Sequence, residues 1–377
     1  MSARASRVVL AAALAGCALL TLNGCFAAPA GPDGKAIAAE IEEEVAEFLV
    51  EADEARQVRA VLVYHDGEPI IERYTEAGPD DYWDTRSVTK SVVSTLVGIA
   101  IEQSLIPGVD ATLGELLPSY AAEMTKDVAA ITLEQLLTQT ENFPEYLSPE
   151  ATFWESPDWV TTILAQRSAA GPGDGSFRYS DAGPHLLSAI LTQTTGRSIL
   201  DFAREYLFEP LGIPTEPATE IVLDLGGSAD RTALLEAFNN ADFAWPVDPQ
   251  GFNVGGALLK LRPQDLGALG LAYLAGGRSA NGEQVIPETW VAAATANHVD
   301  QFGYGYLWWT IAADGAPAFA AFGRGGQLIE VVPDRELVVV VATEFDELDP
   351  DHDLKSIDSN ELTALVSSWI APHFAPD

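Results

Sequence analysis

Ser87 and Lys90 stand three residues apart at the head of an apolar run that continues Ser91-Val92-Val93-Ser94-Thr95-Leu96-Val97. Residues three apart on a helix share one face, so a hydroxyl and an amine would meet there in an apolar setting. Desolvation disfavours the charged form of a lysine and makes a neutral, proton-accepting amine available. A weak serine nucleophile can be activated in this way without histidine. The spacing alone is common. This chain, however, has only five lysines, Lys35, Lys90, Lys126, Lys260 and Lys355, and Lys90 alone has a serine three residues before it. Thr85 is the expected helix cap, with Ser87 in the first turn. The competing reading is a plain helix start whose lysine stem runs over apolar surface to water.

A serine–lysine pair needs a second proton handler and donors for a developing oxyanion. Tyr179, in the stretch Pro172 to Asp181 just ahead of a helix, is a candidate proton handler, because a phenol near a lysine cation loses its proton more easily. Its competing reading is a buried tyrosine with a satisfied hydroxyl. Ala321-Phe322-Gly323-Arg324-Gly325-Gly326-Gln327 lies at a strand edge, where glycines mark close approach to the backbone. Its N–H groups, with that of Ser87, could hold a carbonyl oxygen. A glycine-rich hairpin turn accounts for the same residues.

These three stretches must be positioned by the rest of the chain. Length 377 and 47% hydrophobic residues allow a large globular core. The net charge of -36 argues against nucleic acid and against docking on anionic lipid. Arg4 and Arg7 precede an apolar Val8 to Leu22, the pattern of a signal peptide over about residues 1–24. Cys25 is the expected lipidated residue, with Cys17 as the alternative, and residues 25–34 form a tether. The protein is thus expected to cross the cytoplasmic membrane of a bacterium and to remain lipid-anchored at the cell envelope. At most one cysteine would stay in the folded part, so no disulfide is expected.

Strand patterns occupy both ends of residues 35–377, and helical patterns the middle. Val58 to His65 and Glu68 to Tyr74 flank Asp66-Gly67, a hairpin signal. Tyr304 to Ile311, Ala318 to Phe322, Gln327 to Val332 and Glu336 to Thr343 read as strands. Glu141 to Gly175 reads as loop-rich, and Thr215 to Gly251 as mixed. The expected fold is α+β: an antiparallel sheet built from N- and C-terminal strands (about 35–85 and 300–377), flanked by helices, with an inserted helical domain (about 86–299). A cleft between the two parts would hold the site.

The three stretches, in this order, resemble the serine β-lactamase and penicillin-binding-protein superfamily, where Ser-x-x-Lys is followed by a Tyr- or Ser-based motif and a Lys-Thr-Gly strand. The resemblance runs from about Val58 to the C-terminus. It is closest to the class C-like branch, which includes esterases, D-aminopeptidases and aminohexanoate-dimer hydrolases. Pro210-Leu211-Gly212-Ile213, Gly255-Gly256, Gly303-Tyr304-Gly305-Tyr306 with Trp308-Trp309, and Gly325-Gly326-Gln327 add to it. The resemblance implies Ser87 as nucleophile, Lys90 as its proton acceptor and Tyr179 as base or shuttle. It also implies an oxyanion hole from the N–H groups of Ser87 and Arg324. Asp181, Gly323, Gly325, Gln139 and Trp308 are its pocket candidates.

Two departures bear on substrate. Asp181 stands where lactamases often have Asn; it could hold Lys90 charged, accept a substrate amine, or cap the next helix. Ala321 replaces the strand lysine that helps bind the substrate carboxylate in lactamases. The loop Gln139-Thr140-Glu141-Asn142 is expected to border the site, where its acidity would shape specificity. His185 reads as structural, and no zinc spacing exists. Asp349, Asp351 and Asp353 only faintly resemble a calcium loop. The expectation is a serine hydrolase acting on an ester, amide or peptide-like small molecule through an acyl-enzyme, with no cofactor or metal. The alternatives are a β-lactamase, a D,D-carboxypeptidase or D-aminopeptidase, and a catalytically weak binding or sensor protein of the same fold.

Overall fold

The computed structural model describes residues 32–51, 58–144, 152–171, 173–227, 230–346 and 357–374. Cys17, Cys25 and Asp349, Asp351 and Asp353 lie outside these residues. The described strands are β1 (Val58–His65), β2 (Glu68–Tyr74), β3 (Trp83–Asp84), β4 (Lys260–Leu261), β5 (Trp309–Ala313), β6 (Ala316–Gly323), β7 (Gln327–Val332) and β8 (Leu337–Thr343). Six of them form one antiparallel sheet in the order β2-β1-β8-β7-β6-β5. The two ends of the chain therefore meet in its middle, at β1 against β8, with Val61 opposite Val341 and Val63 opposite Val339. This is the expected α+β architecture. Asp66 and Gly67 have φ of 56° and 80°, the left-handed pair that a tight two-residue hairpin requires.

Each face of the sheet has its own apolar core. Val61, Val63, Leu328, Val339 and Val341 pack with Ile41 and Val45 of the helix Pro32–Glu51 and with Leu362 and Val366 near the C-terminus. Alternation sends Leu62, Ile329, Val331, Val338 and Val340 to the other face, against Leu266 and Leu269 of the helix Pro263–Leu274 and Val92 and Leu96 of the helix Val88–Glu102. The Pro263–Leu274 helix comes so close that a Cβ at Gly270 would stand 2.6 Å from Val338 Cγ1. Only glycine admits that approach.

Two expectations need correction and a third is made specific. Residues Trp159–Ala170 form a helix inside the stretch read as loop-rich, opened by the Asp158 side chain accepting from Thr161 N and closed by Gly171 at φ 76°. Its cap signals were legible, but the surrounding proline, serine and glycine residues obscured them. A second helix, Arg231–Asn239, capped by Asp230, lies in the stretch read as mixed. The strand expected from Tyr304 begins only at Trp309, because Leu307 adopts φ 60° and donates its N–H to Leu137 O at 3.0 Å. A left-handed residue cannot continue an extended run. The small β3–β4 pair was not readable either, since two residues carry no periodicity.

The helix Val88–Glu102 is buried from Val88 to Ala100. Two of its buried hydroxyls find partners inside the protein: Ser91 Oγ donates to Leu307 O at 2.7 Å, and the Thr95 hydroxyl meets the Tyr273 hydroxyl at 2.8 Å. A buried hydroxyl left alone would cost about 1–3 kcal/mol, so these contacts fix the helix in depth and rotation.

Candidate active site

Ser87 occupies the cap position of its helix at φ -70°, ψ -6°, yet its side chain caps nothing. The hydroxyl meets Lys90 Nζ at 3.0 Å instead. Thr85, the expected cap, pairs its own hydroxyl with that of Thr89 at 3.1 Å. The turn between them is tight, with Val88 N donating to Thr85 O at 3.1 Å and Thr89 N to Arg86 O at 3.1 Å. Arg86 sits at φ 49°, a conformation that costs a non-glycine residue free energy and persists only when its surroundings impose it. Here they do. Arg86 donates from N and Nη1 to Asp84 at 2.8 and 3.1 Å, and its guanidinium lies 4.6 Å from the Phe345 ring centroid. The β3–β4 pair and the bond from Thr85 N to Leu259 O at 2.9 Å hold the other side.

Lys90 is 1% exposed. Its ammonium donates to Ser87 Oγ at 3.0 Å, Asp181 Oδ1 at 2.5 Å and Gly256 O at 2.7 Å. Burial by itself pulls its pKa down, but Asp181 and then Tyr179 outweigh burial, and the net direction is up. The neutral amine expected from desolvation is therefore corrected: at this distance the carboxylate wins, and Lys90 is an ammonium. Of the three readings of Asp181, the one in which it holds Lys90 charged is the observed one. It precedes the helix Ala182–Thr195 but makes no side-chain cap bond. It is also enclosed: a Cβ at Gly256 would stand 2.6 Å from Asp181 Oδ1, and one at Gly255 2.0 Å from Pro184 O. The Gly255-Gly256 pair thus lets a distant segment lie on the Asp181 turn and offer its carbonyl to Lys90.

Tyr179 is half-buried, with its ring centroid 4.8 Å from Lys90 Nζ, and it stacks on Trp309 at 5.8 Å. Gln139 braces this segment: its carbonyl accepts from Arg178 N at 2.9 Å and its Oε1 from Ser180 N at 2.7 Å. Gln139 is fully buried, so it is a support and not a pocket residue. Glu141 is buried as well, against Gly183, and burial pushes its carboxyl well above the usual range. The acidity expected to face substrate from this loop is turned inward. Trp308 is likewise corrected. It is fully buried and donates to the Tyr273 hydroxyl at 3.2 Å, while Trp309 is the one that reaches Tyr179. The sequence established that the pair alternates, not its phase.

A cleft of about 350 Å³ opens over Ser87, lined also by Asp181, Arg86, Arg324, Trp154, Leu223, Leu225 and Arg231. Arg324 and Ser87 both line this cleft. Gly323 and Gly325 serve the backbone instead. A Cβ on Gly323 would lie 2.5 Å from Thr85 O, and one on Gly325, at φ 93°, 2.4 Å from the Phe345 ring. The end of β6 is thus pressed onto the turn that presents Ser87. Sequence reasoning singled out Gly255-Gly256 but missed the Gly256 carbonyl as a ligand of the ammonium, and it missed Phe345 and the wall of Leu223, Leu225 and Arg231. No local pattern ties a glycine carbonyl to Lys90, and the other residues lie far from the motifs. His185 is structural as expected, paired through Nε2 with Asp248 Oδ2 at 3.1 Å in the interior.

A profile of the beta-lactamase family matches residues 39–360. The chain belongs to the beta-lactamase family. A 6-aminohexanoate-dimer hydrolase of Paenarthrobacter ureafaciens is 25% identical over 246 residues, 61% of this chain and 55% of that protein. A D-aminopeptidase of Cereibacter sphaeroides (strain ATCC 17029 / ATH 2.4.9) is 26% identical over 171 residues, 44% of this chain and 30% of that protein. The chain thus spans about half the length, or less, of these curated relatives. The crystal structure of a class C beta lactamase from Rhodobacter sphaeroides superposes with a TM-score of 0.63 at 19% identity, covering 90% of this chain and 99% of that one. At that identity it supports the beta-lactamase fold alone. Among the described residues no helix is long and apolar enough to cross a membrane.

Proposed function

We propose that this beta-lactamase family member is a serine hydrolase that opens an ester or amide bond through a covalent acyl-enzyme on Ser87. The observation that carries the reading is the Ser87 hydroxyl held at 3.0 Å from a buried ammonium that is fixed on two further acceptors. An ammonium there stabilises a developing alkoxide, and a site closed to water strengthens that effect. Ser87 Oγ attacks the carbonyl carbon. The oxyanion is received by the N–H groups of Ser87 and Arg324, which line one cleft. Tyr179, beside Lys90, serves the leaving group, and water then releases the acyl group. The names of the two curated relatives, both hydrolases of amide-like bonds, favour amides among the substrates.

Asp181 is spent on Lys90, so a cationic substrate amine would have to be met elsewhere, for example by the exposed Glu155 on the cleft. β-Lactam turnover is the less favoured reading. Ala321, in the place of the strand lysine, turns its methyl group into the core and is 2% exposed. Nitrocefin is accordingly expected to be turned over far more slowly than a p-nitrophenyl ester.

The test is labelling by a fluorophosphonate, read by mass spectrometry, together with p-nitrophenyl ester turnover. The expected result is one adduct on Ser87 and loss of both signals in Ser87→Ala. Absence of adduct and turnover in the wild type would leave a binding or sensor protein of this fold. We place the protein outside the cytoplasm on a lipid at Cys25, which palmitate labelling lost in Cys25→Ala but not in Cys17→Ala would support.

A further inference from the structure

We infer that Asp181 is the end of a proton relay that runs from Ser87 through Lys90, a step that rests on Ser87 being the nucleophile as proposed above. Lys90 has three N–H donors as an ammonium, and three acceptors receive them: Ser87 Oγ, Asp181 Oδ1 and Gly256 O. No lone pair is left on Nζ for the serine proton. Lys90 can accept that proton only while handing another on. Of its other two partners, a backbone carbonyl is too weak a base to take one. The Asp181 carboxylate, at 2.5 Å, is the base in reach.

The step balances. As Ser87 Oγ bonds to the substrate carbonyl carbon, the Oγ–H bond breaks and its proton goes to Nζ. One Nζ–H proton passes to Asp181 Oδ1. Lys90 stays an ammonium throughout, Asp181 becomes a carboxylic acid, and the lost negative charge reappears on the oxyanion. Charge is conserved, and the cation keeps an anion near it on both sides of the step. When the intermediate collapses, Asp181 gives its proton back to Lys90, and a proton reaches the leaving group from Nζ by way of Tyr179, because Ser87 Oγ is by then esterified.

The other titratable groups facing this cluster are few. Tyr179 presents its ring to Nζ at 4.8 Å and also interacts with the ammonium through its side-chain hydroxyl, which adds to Asp181 in keeping Lys90 charged. Tyr304 and Glu141 lie behind, within electrostatic reach of one another, and burial pushes both well above their usual ranges, so they remain neutral and take no proton from the path. Arg86 is engaged with Asp84, and His185 with Asp248. An asparagine at 181, the residue many lactamases carry there, can accept the ammonium's hydrogen bond but no proton.

Asp181→Asn is the test, with single-turnover acylation by a p-nitrophenyl ester followed against pH. The expected result is a loss of about 100-fold or more near neutrality. The residual rate should follow a Lys90 titration that the wild type lacks and that lies below the usual lysine range, because without the carboxylate burial pulls the lysine down. Tyr179→Phe should not reproduce that pH shift. Should Asp181→Asn fail to fold, a proton inventory of wild-type acylation in H2O–D2O mixtures replaces it: two protons in flight give a curved plot. A straight plot overturns the relay. So does an Asp181→Asn variant within about threefold of wild type with an unchanged pH profile. Absence of any Ser87 adduct in the wild type overturns the nucleophile assignment itself and the relay with it.

Discussion

Lys90 and Glu330 are both enclosed by apolar residues, on opposite sides of one sheet, and the protein treats them in opposite ways. Lys90 is met by a carboxylate, a hydroxyl and a carbonyl drawn from three separate stretches of chain, and it keeps its charge. Glu330 stands on β7 between Ala320 and Val339, facing the core under the terminal helices, and neither of its oxygens has a partner among the described residues. Burial alone raises its pKa to about 8. Depth does not decide the state of a buried ionisable group; the partners that the fold can deliver do. The site face has loops ending on it that carry free carbonyls and side chains. The opposite face is closed by helices whose inward side chains are mainly apolar, among them Ile41, Val45, Phe48, Leu362 and Val366.

The largest expected effect breaks the comparison on the Glu330 side. Below pH 4.5 the group is protonated in folded and unfolded chains alike. Between 4.5 and about 8 only the unfolded chain ionises, so stability falls as pH rises. At roughly 1.4 kcal/mol per unit the loss reaches about 5 kcal/mol and then levels off. Glu330→Gln removes this term. Urea midpoints measured across this range should show the variant gaining on wild type with pH until about 8. A difference independent of pH would show that Glu330 is ionised or solvated after all.

On the other side, Lys90→Met strands the Asp181 carboxylate in the interior and should cost about 3–5 kcal/mol. Adding Asp181→Leu should recover most of that loss in denaturant unfolding, though not activity. If the double variant is no more stable than the single, the pair is not a coupled unit. A smaller effect sharpens the same point. Gly256→Ala would bring a methyl group to 2.6 Å from Asp181 Oδ1 and should cost about 1–3 kcal/mol by overpacking. Acylation should slow as well, since the carbonyl that holds Lys90 must move. Unchanged acylation in that variant would mean Gly256 O is dispensable to the ammonium.

Local pattern made much of this protein legible. The Asp66-Gly67 hairpin, the largely apolar β7 and β8 and the buried Ser87 helix were visible because turn chemistry and periodicity act between near neighbours. The Trp159–Ala170 helix escaped because its apolar face is set among loop-forming residues, although Asp158 and Gly171 bracket it. In the site, Ser87 and Lys90 were found by type and spacing, and Tyr179 and Asp181 gained their places from the family resemblance. Gln139 and Trp308 were assigned to the pocket, and the fold uses both as interior supports.

What the sequence determined by itself was therefore which groups could do chemistry and in which order they occur. A hydroxyl and an amine three residues apart must share a helix face, whatever surrounds them. The charge on that amine was beyond its reach. Desolvation alone predicts a neutral Lys90. Only the folded chain brings Asp181, 91 positions away, and Gly256, 166 positions away, to the same nitrogen. Electrostatic attraction depends on distance in space, and sequence separation says nothing about that distance until the backbone has closed on itself.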